Sequence, residues 1–563
     1  MSREFAIDSR NLLPFSDNNQ VDSGRIKIKD GHITAVTRSD ELSGHDGSPI
    51  RVLDAGDRLV MPGFIDAHAH VEVAARVRYT HVDVRVPGCK TVSDVLDGLR
   101  DGLGRMNFDG WLLGEGNLFM DRKLREGRLP TREELDSVSS DVAIALRAGG
   151  HISVLNTRAL EAMNLVDGYD PPSGSITGKT IVEKDSSGRL TGVIKEMDNL
   201  LPSPKLSNGN LRSALQDGIA HMFMRNGVTT IGEISETPEG LRTMSELAQA
   251  GKLPSRIHTY LWAPGTVRWD QLEDIQTWAS DNGINPVKEL FGIQGVKVFA
   301  DGGYSAANAA VKKPYIVDCP HCRGELALSK EEVIRVLKIS RNAGLQLAIH
   351  ANGDRAQEVV CDAIANAGGA PSGSLRTRIE HAGNFLPYYE ETVSYWKKAG
   401  ILPSPQPVFI YTFGDYFPDY LGDYGARGRF PFQKLLQDGW EIPASSDIWV
   451  GSEEDVTNPL FGIWCMVSRK GYKGESIDLE QQVSVEQALK MYTINGAKVF
   501  GKEDKLGSLD AGKIADIIIL SEDPRNVPVE RLKQIEVDYV FRGGELVYER
   551  LGAKPLQETF IYN

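Results

Sequence analysis

Met61–His70 reads MPGFIDAHAH, and this stretch decides the fold. A short, largely apolar run follows Pro62-Gly63 and ends on His68 and His70. Side chains alternate faces along a strand, so two histidines at a spacing of two point the same way, about 6.5–7 Å apart in backbone rise. Two imidazoles on one face can share a metal ion. His-x-His alone is a weak motif. Its weight comes from standing at the C-terminal end of what reads as the first strand of a barrel, because the active sites of such barrels open at that end.

Working outward, the segments FIDAHAH, GVTTIGEI, RIHTYLW, GVKVFADG, LQLAIH, TRIEHAG, GILPSPQP and EIPASSD are short and apolar, and most are followed by a helical pattern. Strands alternating with helices predict parallel strands with crossover helices. Eight of them predict an α/β fold of TIM (β/α)8 type spanning 61–500. The stretch between the first and second strands far exceeds a crossover of about a dozen residues, so 80–215 is expected to hold a large insertion over the barrel mouth. Asp30-Gly31 and Gly543-Gly544 sit between alternating apolar residues, a hairpin signature. Residues 1–60 and 501–563 are therefore expected to pair into one composite β-sandwich. The loop DPPSGSITGKT reads as a surface excursion.

With 77 acidic against 63 basic residues the formal net charge is −14, which disfavours nucleic-acid partners, since their phosphates demand neutralisation. No apolar run is long enough for a membrane span, and the first residues lack the apolar core of a signal peptide, so a cytoplasmic location is expected. Five scattered cysteines, Cys89, Cys319, Cys322, Cys361 and Cys465, suggest reduced thiols, with CPHC an incidental loop pair. No Gly-x-Gly-x-x-Gly fingerprint follows a predicted strand, which argues against a nucleotide- or redox-dependent enzyme.

His350 in LAIHANGD and His381 in RIEHAG also close predicted strands, so four histidines converge from three strand ends. Asp447 ends the eighth segment, placed to bind metal and to take a proton from water, and is the candidate general base; a helix N-cap is its bland alternative. Lys297 lies within an apolar strand, where a bare ammonium is costly. Carbamylation into a bridging ligand and an ion pair with Asp301 or Glu233 both answer that cost, and spacing does not choose between them. Trp111, Phe119, Phe409, Tyr411 and Trp449 fall in segments that could face the mouth, hinting at an apolar or aromatic substrate group.

Taken together, VMPGFIDAHAH, LRAGGHISVLNTRAL, GRLTGVIKE, GVKVFADG, LAIHANGDRA, RIEHAG, ASSD and the tail NGAKVFG…LGSLDAGKIADIIILSEDP resemble the amidohydrolase superfamily, in the amidohydrolase-3 branch that contains N-substituted formamide deformylases. The resemblance covers nearly the whole chain. It implies that His68 and His70 hold the more buried of two metals, with Asp447 as ligand and base, that His350 and His381 hold the second, and that Lys297 takes the place of a carboxylated bridging lysine, with Glu196 as a rival bridge. It implies zinc, or another divalent ion such as manganese, as cofactor, at one or two sites, and a homodimer or larger homo-oligomer. His151 and Glu196 fall where it suggests substrate contact. Phe409 stands where the branch usually has a histidine, and GYSAANAAV replaces the usual serine-rich tract, so substrate identity does not carry over. The expected activity is metal-dependent hydrolysis of a C–N bond in a small amide-type molecule. A deaminase, or a carbamate or ester hydrolase, is the alternative on the same scaffold, and a non-catalytic scaffold is disfavoured by the intact ligand set.

Overall fold

The computed structural model describes residues 4–16, 21–42, 50–104, 107–108, 110–166, 169, 177, 180–202, 204–317 and 322–561. At its centre seven parallel strands are hydrogen-bonded neighbour to neighbour in chain order: Phe64–Ala69, Val228–Ser235, Arg256–Trp262, Phe291–Phe299, Gln346–His350, Arg378–Glu380 and Leu402–Ser404. Val228–Ser235 is buried at every position, the continuous burial expected of a strand covered on both faces. Amphipathic helices such as Pro238–Gln249, Lys330–Asn342 and Asp354–Asn366 pack outside, the first two started by side-chain caps from Thr237 and Ser329. Ser329 caps Lys330–Asn342 in a full capping box with Glu332.

The predicted eighth strand, EIPASSD, is not a strand. Residues 442–448 run irregularly, yet they bridge the gap between the first and seventh strands. On one side Ala67 N donates to Ala444 O (3.2 Å), Asp447 N to His68 O (2.8 Å) and His70 N to Ile448 O (3.0 Å). On the other, Ser445 Oγ donates to Pro405 O (3.1 Å). The reason lies in the residues: Pro443 has no N–H to give a ladder, and Asp447 is left-handed at φ 47°, which breaks the pleat.

Between the first and second barrel strands lies a separate mixed sheet, ordered Ile181–Lys184, Leu190–Lys195, Ile152–Leu155, Ala143–Ala148, Trp111–Gly116 and Val82–Asp83, with Asn107–Phe108 pairing off Trp111–Gly116. Most of the loop read as a surface excursion, including 170–176, lies outside the described residues.

The two chain ends build two further sheets. One orders Gln557–Ile561, Ile50–Asp54, Glu4–Ser9, Gly24–Lys29 and His32–Arg38; the other orders Glu545–Glu549, Val537–Arg542, Ile517–Leu520 and Val60–Pro62. Ile7, Ile26 and Ile28 of the first share one apolar cluster with Ile517, Ile519 and Phe541 of the second. Both expected hairpins are present. Asp30 and Gly31 have φ 49° and 82°, and Gly543 and Gly544 have φ 54° and 72°, the double positive φ that a tight two-residue turn needs.

Cys322 is disulfide-bonded, which corrects the expectation of reduced thiols there; Cys319 lies outside the described residues. Cys89, Cys361 and Cys465 are free. Among the described residues no helix is long and apolar enough to cross a membrane.

Arg256 of the barrel donates to Asp516 of the terminal segment at 2.7 and 3.0 Å, with both side chains buried, and Asp516 also accepts from Gly543 N (2.7 Å). Replacing Asp516 by alanine strands a buried guanidinium. The expected cost is about 3–5 kcal/mol, read as a clear drop in melting temperature. An unchanged melting curve would show that this tie does not couple the barrel to the terminal sheets.

Candidate metal centre at the barrel mouth

His68 is the penultimate residue of Phe64–Ala69 and His70 precedes the helix Val71–Thr80, so strand geometry sets both rings on one side with centroids 5.5 Å apart. Asp447 meets them from the irregular eighth segment. Its left-handed backbone turns the carboxylate inward, so that Oδ1 lies 3.2 Å from His68 Nε2 and 3.5 Å from His70 Nε2. The three ligand atoms lie within 4.8 Å of one another. Bonds of about 2.0–2.2 Å in a tetrahedron give ligand separations of about 3.4 Å, so this donor set fits a zinc-like ion. His70 Nδ1 is buried without a hydrogen-bond partner, so its ring is held by packing, stacked on Trp449 at 5.1 Å.

Lys297, on the fourth strand, brings Nζ to 3.4 Å from His68 Nε2. The ion pairs considered for it do not form. Asp301 accepts from the backbone N–H groups of Ala310, Asn352 and Gly353, and Glu233 from those of Val71 and Glu72. His381 Nδ1 stands 3.8 Å from Asp447 Oδ2, and the His350 ring is 4.5 Å from that of His381. One cavity is lined by all six of these side chains together with His151 and Phe409.

Burial sets the charge states. It draws His70 down to about 4 and His381 to about 3, and holds His350 well below the ordinary histidine value. These imidazoles are neutral at neutral pH, with lone pairs available for a metal. Burial likewise lowers Lys297 to about 8, against the pull of Glu380 and Asp447. For Asp447 burial works the other way, but His68, His70 and His381 hold its carboxyl below the usual carboxylate range.

Behind the donors stands a layer that the sequence reading missed. His68 Nδ1 donates to Glu380 Oε2 (2.5 Å), and Arg378 clamps the same carboxylate through Nε (2.5 Å) and Nη2 (3.0 Å). Donation from Nδ1 fixes the tautomer and leaves the Nε2 lone pair facing Asp447 and Lys297. His381 Nδ1 is paired with Gln406 Oε1 (2.8 Å), which also accepts from Asn384 (2.7 Å). The signal was present in RIEHAG: two charges at alternate positions of a short apolar strand must find partners once buried.

His151, from the inserted sheet, reaches the cavity with its ring 5.6 Å from Trp449, and its Nδ1 is 2.9 Å from Glu196 Oε2. Burial opposes a charge on His151, but Glu196 outweighs it and raises the pKa. Glu196 does not line the cavity; it also accepts from Gly303 N (2.9 Å), so it stands behind His151. Phe409 lies parallel to the His381 ring at 6.3 Å. Phe119 and Trp449 line the cavity too, whereas Trp111 packs into the inserted sheet and Tyr411 against Phe461.

Comparison with known proteins agrees with this architecture. Residues 51–548 match the sequence profile of the amidohydrolase family. The N-substituted formamide deformylase of Arthrobacter pascens is 27% identical over 94% of this chain and 95% of its own length. The protein LONG AFTER FAR-RED 3 of Arabidopsis thaliana is 28% identical, over 92% and 85%. Among solved structures, an uncharacterized metal-dependent hydrolase from Pyrococcus horikoshii superposes with a TM-score of 0.68 at 25% identity, covering 94% of this chain and 99% of that one. The chain belongs to the amidohydrolase family.

Proposed function

We propose that the protein is a metal-dependent hydrolase that cleaves the C–N bond of an N-substituted formamide or a related N-acyl amine. The observation that carries this reading is the convergence of His68 Nε2, His70 Nε2 and Asp447 Oδ1 on one buried point at the barrel mouth. Two neutral imidazoles and a carboxylate favour zinc, with manganese an acceptable substitute. His350 and His381 would hold a second ion, and Lys297, lying 3.4 Å from His68 with no carboxylate partner among the described residues, would become an anionic ligand once carbon dioxide adds to its amine as a carbamate.

One or two such ions, when bound, supply Lewis-acid polarisation of the carbonyl and lower the pKa of a water to about 7. The remaining steps fall to the chain. Asp447 takes the proton of the attacking water and delivers it to the departing nitrogen. His151, whose charged form Glu196 favours against burial, faces the substrate's carbonyl side as a hydrogen-bond donor. Phe409 and Trp449 exclude water and give the acyl side of the substrate an apolar wall. The catalytic unit spans 61–500, and the two ends, 1–60 and 501–563, form its companion sandwich. Aminated heterocycles, carbamates and esters are the competing substrates on the same machinery.

Four outcomes test this. Purified protein should carry one or two equivalents of zinc or manganese by elemental analysis; removal with a chelator should abolish hydrolysis and lower the melting temperature, and added zinc should restore both. His68→Ala and His70→Ala should each lose bound metal. Asp447→Asn should lower kcat by about 10²- to 10⁴-fold on formamides; turnover within a few-fold of wild type would remove Asp447 from the role of base. In a panel of formamides, N-acyl amines, carbamates and aminated heterocycles, release of a free amine with a carboxylic acid supports the proposal, and release of ammonia from heterocycles alone supports the deaminase.

A further inference from the structure

The cavity that holds His68, His70 and Asp447 is small, with a free volume of about 50 Å³. At roughly 10–15 Å³ per water centre, that is room for only about three to five waters. A second cavity of about 570 Å³ lies beside it, and the residue that lines both is Ser305. Ser305 is 3% exposed, and its Oγ has no hydrogen-bond partner among the described residues. A buried hydroxyl left without a partner is unfavourable, and its persistence at a junction between two cavities points to a ligand that satisfies it. The outer cavity has a buried floor that includes Ile152, Leu190, Tyr420 and the charged Lys195, and an exposed rim carrying both signs of charge, as at Glu183 and Arg189.

We propose that Ser305 is the neck of a two-chamber substrate site, and that it determines specificity. The inner chamber takes a one- or two-carbon acyl group. The outer chamber takes a long N-substituent, an alkyl or aryl chain whose polar end reaches the charged rim. Ser305 Oγ bonds the amide where it passes between them. Water adds to the carbonyl carbon, the C–N bond breaks with its electron pair going to nitrogen, and nitrogen takes a proton. The small acid is released in the inner chamber and the larger amine in the outer one. Specificity then resides in the tract GYSAANAAV and the inserted sheet, while the barrel supplies the chemistry. This rests on the amide-hydrolase reading above.

The test uses the metal-loaded enzyme and two substrate series. With the formyl group fixed, kcat/KM should rise at least tenfold from N-methyl to N-hexyl. With an N-benzyl group fixed, it should fall at least a hundredfold from formyl to butyryl. Ser305→Leu, which narrows the neck, should reduce the N-hexyl to N-methyl ratio of kcat/KM at least tenfold. A preference for large acyl groups on small amines, or an unaltered ratio in Ser305→Leu, overturns the two-chamber site while leaving amide hydrolysis intact. If no amide is hydrolysed at all, the proposed function fails and this inference fails with it. Should Ser305→Leu not fold, the two wild-type series decide the matter alone.

Discussion

The Arg378–Glu380 pair is wholly buried, and the orientation of His68 at the candidate metal centre depends on it. Taking two charges out of water is costly, and the cost is offset only where every donor and acceptor is satisfied. Here it nearly is. The guanidinium reaches Glu380 twice, Ala67 O (2.8 Å), Ser404 Oγ (3.3 Å) and Tyr260 Oη (3.1 Å), while the second oxygen of Glu380 receives His68. One side chain on the sixth strand thereby touches the first, third and seventh. It holds Glu380 ionised, far below its ordinary value despite burial, and an ionised Glu380 orients His68. Barrel closure and ligand orientation are one network, so the site cannot loosen without loosening the barrel.

A second constraint is conformational. His381, Asp447 and Glu196 all have positive φ, at 73°, 47° and 54°. Left-handed backbone costs a side chain of this kind about 1 kcal/mol or more, and it persists where surrounding contacts over-determine it. In each case the conformation aims a polar side chain where a regular strand would not. Asp447 ends the irregular eighth segment, His381 follows a three-residue strand, and Glu196 leaves the last strand of the inserted sheet. The mouth is built by departures from regular strand geometry just past the strand ends.

That contrast explains what the sequence disclosed. Strand-end reasoning brought His68, His70, His350, His381 and Lys297 to one cavity, because the end of a strand fixes the region its last residues reach even where, as at His381, the backbone leaves the pleat. It also located the two hairpin turns, where the chemistry of Asp30-Gly31 and Gly543-Gly544 is local. It misjudged EIPASSD as a strand, since apolar composition does not reveal that Pro443 and the left-handed Asp447 break the ladder. It offered Asp301 and Glu233 as partners for Lys297, but backbone N–H groups from loops and a helix start claim both carboxylates, and such tertiary claims leave no local trace. Glu380, Arg378 and Gln406 went unread for a different reason: a supporting residue is recognised by the atom it holds, and that atom lies on another strand.

The division of labour within the molecule follows from the same physics. Donors on adjacent parallel strands are held to a few tenths of an ångström by the shared ladder, which suits atoms that must meet around one point. Residues on the inserted sheet and on the loop after the fourth strand lie outside this ladder and are placed by side-chain contacts. His151 depends on Glu196, and Glu196 on Gly303 N; Gly303 itself has no room for a side chain, since a Cβ there would stand 2.6 Å from the His151 ring. The polar wall of the cavity is thus set by a glycine, a histidine and a glutamate from three separate segments. A change in any one bears first on His151, which meets His70 only through the shared Trp449 ring. The lining of the cavity can therefore vary around a fixed set of strand-end residues, and at 27% identity to a formamide deformylase the walls are where divergence is least constrained by the fold.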